Sequence, residues 1–149
     1  MSTDSKLTAG GMPQQIAEDG VLYAIIIPAS VESPGLLFFT QSNLFLQVGQ
    51  WLYDRGHRSV PHIHLYRPRS SDVTQEAIHV VRGAVEIEIY AENARFICSA
   101  VLRQGDTAIL VAGGHAYTIL EDNTKVLEFK NGPFTSAEED RRPLSVERR

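Results

Sequence analysis

The chain has 149 residues, 43% of them hydrophobic and 21% charged, which is a globular composition and excludes wholesale disorder. Its formal net charge of −4 gives no electrostatic case for nucleic acid or an anionic membrane as partner. No apolar run nears the ~20 residues of a membrane span. The opening MSTDSKLTAGGMPQQ also lacks the apolar stretch of a signal peptide, so the expected setting is the cytoplasm.

Residues 1–15 and 135–149 are polar or charged and are expected to be mobile tails around one domain spanning 16–134. Within that domain, short β-branched and apolar runs follow one another in chain order. They are VLYAIII (21–27), GLLFFT (35–40), LFLQVGQWLY (44–53), HIHLY (62–66) and EAIHVV (76–81). AVEIEIY (84–90), RFICSAVL (95–102), TAILVA (107–112), AYTILE (116–121) and KVLEFK (125–130) complete the series. Turn residues such as SPG, RG, AEN, RQGD and AGG separate them at near-regular spacing. Many short strands with this rhythm predict an all-β fold, a single antiparallel β-barrel or jelly roll. Short helical turns are expected at 13–18 and 136–142.

Alternation assigns faces. Val85, Ile87 and Ile89 share one face of their strand, and Glu86, Glu88 and Tyr90 share the other, which reads as a solvated side. The single cysteine, Cys98, sits in an apolar run and reads as a small buried thiol. His62 and His64, one residue apart on a strand, point to the same face about 6–7 Å apart along the chain. Glu76 shares a face with Ile78 and Val80, so its carboxylate points inward, where it is costly unless paired or bound to a cation. His79 lies on the opposite face. His115 follows a double glycine into another strand. Two imidazoles, a carboxylate and a third imidazole form a donor set suited to one divalent transition-metal ion: Fe, Mn, Ni, Co or Zn.

At these positions the chain resembles a cupin. The family's first motif reads glycine, five residues, His-x-His, a gap, glutamate, six residues, glycine. Gly56, His62, His64, Glu76 and Gly83 reproduce it, with LYRPRSSDVTQ lengthening the gap. The second motif, opening on Gly-Asp and ending in a histidine, is similar to GDTAILVAGGH. Val111 stands there at the usual proline position, and His115 comes one residue early. A narrower likeness, carried by TQEAIHVVRGAVEIEIY, GGHAYTILED, EFKNGPF and EED, is to small bacterial cupins of unassigned activity that accompany polysaccharide or nucleotide-sugar biosynthesis.

The resemblance implies that His62, His64, Glu76 and His115 are metal ligands. It implies a metal-dependent enzyme acting on a small oxygen-rich substrate, such as a sugar or sugar derivative, in the manner of an isomerase or epimerase. Two alternatives stay open on the same ligands: an Fe(II) dioxygenase, and a non-catalytic small-molecule binder with a structural metal. Tyr117, on the predicted face of His115, is a candidate to line the pocket. Glu128 and Lys130 share a face of their strand. Inward, they are acid/base candidates or an internal ion pair; outward, they are an ordinary cross-strand charge pair. Arg67 and Arg69, in the lengthened gap, would sit at the rim, either solvated or meeting a phosphate or carboxylate. Exposed strand edges and the apolar GLLFFT lead to the expectation of a homodimer.

Overall fold

The computed structural model describes residues 6–7 and 11–145. Of the two tails expected to be mobile, residues 1–5, 8–10 and 146–149 lie outside that description. The described elements are β1 (Lys6–Leu7), β2 (Gln14–Glu18), β3 (Val21–Ile27), β4 (Gly35–Phe38), β5 (Gly49–Leu52) and β6 (Glu76–Arg82). There follow β7 (Ala84–Tyr90), β8 (Phe96–Arg103), β9 (Thr107–Leu110), β10 (Gly114–Ile119), β11 (Lys125–Lys130) and a one-turn helix, α1 (Ala137–Asp140). The chain is therefore all-β.

One sheet has the order β1-β8-β7-β10 and the other β11-β6-β9-β3-β2, while β4 and β5 form a two-stranded ribbon of their own. Every pairing is antiparallel except that of β1 with β8. The main core lies between the two large sheets. Val85, Ile87 and Ile89 of β7 meet Ile78 and Val80 of β6, with Leu102, Ala108 and Leu110 filling in, all essentially removed from water. Cys98 belongs to this core, and burial pushes its thiol pKa up, as suits an inert packing residue. A second apolar layer covers the far side of the β11-to-β2 sheet, where Val31, Phe39, Leu44, Leu46 and Val48 pack on Ile25, Ile27, Ala77, Ile109 and Val111.

The expected face assignment of β7 holds for Ile87 and Ile89, which are buried, with Glu86 and Glu88 opposite them. Tyr90, expected on the solvated side, is instead buried, beyond a register shift at Ile89/Tyr90. The outer face is less wet than alternation alone suggests. Ser99 Oγ donates to Glu86 at 3.1 Å, and Tyr90 Oη donates to Glu88 at 2.8 Å. Burial, reinforced by that glutamate, holds the Tyr90 phenol up at about 12.

Three sequence expectations are corrected, one of them the run 44–53, of which only Gly49–Leu52 is a strand. Residues 14–18 are a strand, not a helical turn, because they pair with β3 and bury Ile16. The expected strand at 62–66 is not formed, and the chain from 53 to 75 carries no strand or helix. Pro61 and Pro68 flank that stretch and remove donors from any ladder it would join. The helical turn expected at 136–142 is present as α1, capped by Ser136, whose hydroxyl accepts from Glu139 N.

The Gly-Asp pair after β8 has a structural role. Gly105 adopts φ +90°, and a Cβ there would fall 2.7 Å from Ala29. Asp106 is buried, and its carboxylate accepts from Ala29 N and Arg103 N, each at 2.8 Å. It thereby ties the β8–β9 turn to the chain leaving β3. Asp106→Ala strands two backbone donors and should cost about 2–3 kcal/mol in urea unfolding. A change under about 0.5 kcal/mol would refute this role.

Candidate functional site

Glu76 opens β6, and the strand's alternation turns it inward with Ile78 and Val80, while Ala77 and His79 face the second apolar layer. On β10, His115 pairs opposite Ile89 and Tyr117 opposite Ile87, so both share the face of the main core. The double glycine before His115 sets this entrance through a left-handed turn. Gly113 has φ +74°, and a Cβ there would meet Tyr90 O at 2.3 Å. The β7–β10 pairing itself runs without a register shift.

The two sheets thus bring Glu76 and His115 together, with His115 Nε2 3.2 Å from Glu76 Oε2. The Glu76 carboxyl is held below its usual range, first by the hydrogen bond to His115, against an opposing effect of burial, and then by the electrostatic influence of His115 and Lys130. The register of β11 places Lys130 opposite Glu76 and Glu128 opposite Ile78. Both therefore lie on the inward-facing side, which settles the two readings of that strand against an outward pair. They are not partnered as an ion pair of their own kind: Lys130 Nζ lies 3.2 Å from Asp140 Oδ2. Glu128 and Tyr117 are exposed, and both line the cleft between β10 and β11, at whose floor Glu76 and His115 meet.

The C-terminal segment crosses this cleft, which sequence reasoning did not foresee. Asp140 of α1 accepts from Thr74 Oγ1 at 3.1 Å as well as from Lys130, and the Lys130 ammonium sits 4.7 Å from the centre of the Phe134 ring. Further on, Arg142 donates to Glu92 O at 3.2 Å, and Leu144 fills the space where Gly114 would otherwise carry a Cβ. The one available signal was the pattern Ser136-x-x-Glu139, which marks a helix start but says nothing of where the helix docks.

The remaining expected residues lie elsewhere. His62 and His64 are exposed in the irregular stretch, their rings edge to face at 5.3 Å, with His62 Nδ1 2.9 Å from Val60 O. Arg67 and Arg69 are exposed on the same stretch. His57 stacks on Tyr53 at 3.7 Å. His79 Nδ1 is 3.0 Å from Thr107 Oγ1, on the side away from the cleft, as its strand parity requires. Among the described residues, no three His, Cys, Asp or Glu side chains are arranged to hold a metal. The donor chemistry of Glu76 and His115, an inward carboxylate beside an imidazole, fits two positions of a transition ion, and His62 and His64 stand apart from them.

No family model, curated protein or solved structure matches the chain. None of its described helices is long and apolar enough to cross a membrane.

The Glu76–His115 contact has a signature in acid. Because the folded carboxyl titrates below its ordinary value of 4.5, its charge adds stability that is complete above that value and lost as pH falls through the lower, folded one. In His115→Ala the main lowering influence is gone, and burial is opposed by Lys130 but no longer by the imidazole. The metal-free variant should therefore lose less stability than wild type between about pH 6 and pH 3, measured by urea unfolding. Identical losses would contradict the contact.

Proposed function

We propose that the chain is a metal-binding cupin, a jelly roll whose residues 60–66 join the free edge of β10, and that it is a metal-dependent enzyme on a small oxygen-rich substrate. The observation that carries this is the meeting of Glu76 and His115, residues 39 positions apart, on the inner face where the two sheets open. Strand order supports the fold: β11-β6-β9-β3-β2 faces β1-β8-β7-β10, and among the described residues β10 ends its sheet with one side unpaired. The alternation His62, Ile63, His64, Leu65 suits an added strand, both imidazoles turning to one side and both apolar side chains to the other.

A divalent transition ion bound by His62, His64, Glu76 and His115 would supply Lewis-acid polarisation of a substrate carbonyl or hydroxyl. The chain's own residues do the rest. Glu128, exposed on the cleft-facing side of β11, is free to take or return a proton. Lys130, steadied by Asp140, offers an ammonium to a substrate oxygen. Tyr117 presents a hydroxyl from the opposite wall. Arg67 and Arg69, carried on the closing segment, meet a phosphate or carboxylate at the rim. An oxygen-rich ligand such as a sugar fits this mixture of donors and acceptors better than an apolar one.

The test is metal content and thermal stability of protein purified without chelator. At a metal concentration of about 100 times Kd, binding should add about 2.7 kcal/mol, a rise of several degrees in Tm. Glu76→Gln and His64→Ala should abolish that rise, and the metal-free Glu76→Gln protein should give up only the modest stability carried by the Glu76–His115 contact. His79→Ala should keep the rise in full. Loss of metal in His79→Ala with retention in Glu76→Gln would refute the site.

A further inference from the structure

Among the described residues the β4–β5 ribbon pairs with no other strand. Its register puts Leu36 opposite Trp51 and Phe38 opposite Gly49, so one face is a stripe of Leu36, Phe38 and Trp51. These are 50%, 53% and 77% exposed, which is far from what large apolar side chains ordinarily show. Gly49 belongs to the stripe: a Cβ there would fall 3.0 Å from the Phe38 ring. From Ser33 to Leu52 the chain carries no charged residue.

Beside this ribbon, a second apolar surface lies bare. The layer that covers the outer face of the β11-to-β2 sheet packs on β3, β9 and β6 and stops there. Leu127 and Phe129 of β11, opposite His79 and Ala77 in register, remain 43% and 54% exposed. Between the end of the layer and β11 runs a groove walled by Val48, Gly49 and Phe129 and floored by Ala77 and His79.

We propose that a second copy of this chain covers both surfaces: the ribbon of each protomer lies over the groove and β11 of its partner, about a two-fold axis. Three observations select this occupant. An exposed apolar ribbon face and an uncovered apolar strip occur on the same chain, so one symmetric contact covers both at once. The uncharged stretch offers nothing to an ionic partner. The ribbon and β11 together present on the order of 600 Å² of apolar side chain, at the upper end of what monomers expose and approaching the roughly 800 Å² per partner of a stable interface. The contact is independent of any metal at the cleft.

Trp51 is the only tryptophan, so its emission reports the contact without any substitution. Wild type should be a dimer at micromolar concentration by light scattering, and its emission should move to longer wavelength on dilution. Trp51→Glu and Phe129→Glu, both at exposed positions and checked for folding by circular dichroism, should each be monomeric. Mixed together they should dimerise again, because one protomer's intact ribbon meets the other's intact β11. A wild type that stays monomeric at about 100 µM, a dimer that survives either substitution, or a mixture that stays monomeric would each overturn the proposal.

Discussion

The inward carboxylate of Glu76 is the constraint on which the site depends. A carboxylate on the core side of a strand is tolerated only beside a partner that repays its lost water. That partner, His115, arrives from the other sheet. For the two to meet, β6 must keep Glu76, Ile78 and Val80 on one face, and β10 must keep His115 and Tyr117 over Ile89 and Ile87. The left-handed turn at Gly113 must also deliver β10 in that register. A slip of one residue in either strand would replace the pair with Ala77 or Ala116 and turn charged groups the wrong way. Lys130 and Glu128 reach the cleft by the same rule, since β11 is registered on β6.

Much of this was legible in the sequence because burial on one side forces period-2 alternation. VLYAIII, EAIHVV, AVEIEIY and KVLEFK became β3, β6, β7 and β11 nearly end to end. Glu76 was readable as inward and His79 as outward from parity alone. Residues 14–18 were not readable, since Ile16 is their sole large apolar residue and one point fixes no period; pairing with β3 decides their state. The run 44–53 looked like one strand. Its first half instead packs down as part of the second apolar layer, with Gln47 Nε2 donating to Gln41 O and Leu44 O, and only Gly49–Leu52 pairs. Asp140 and Thr74 could not be placed beside Lys130, because contacts 66 and 10 residues apart along the chain leave no local pattern.

The stretch 53–75 differs in kind. His-Ile-His-Leu alternates as a strand does, but a strand exists only with a neighbour, and sequence shows the alternation without the neighbour. Here Ile63, Leu65 and Tyr66 are 85%, 71% and 94% exposed, while on β10 Tyr117 and Ile119 are 62% and 52% exposed on their core-side face. A closing strand with His62 and His64 turned inward would carry Tyr66 on the same side, over the open core-side face of β10. Binding of an ion by His62 and His64 together with Glu76 and His115 would add the free energy that ordering this segment requires.

The most direct measurement of that claim is amide hydrogen exchange, followed residue by residue with and without Zn(II) or Ni(II). Added metal should slow exchange in residues 60–66 and at the free edge of β10, and leave β2 and β3 unchanged. Exchange in 60–66 that stays as fast with metal as without it would contradict the account.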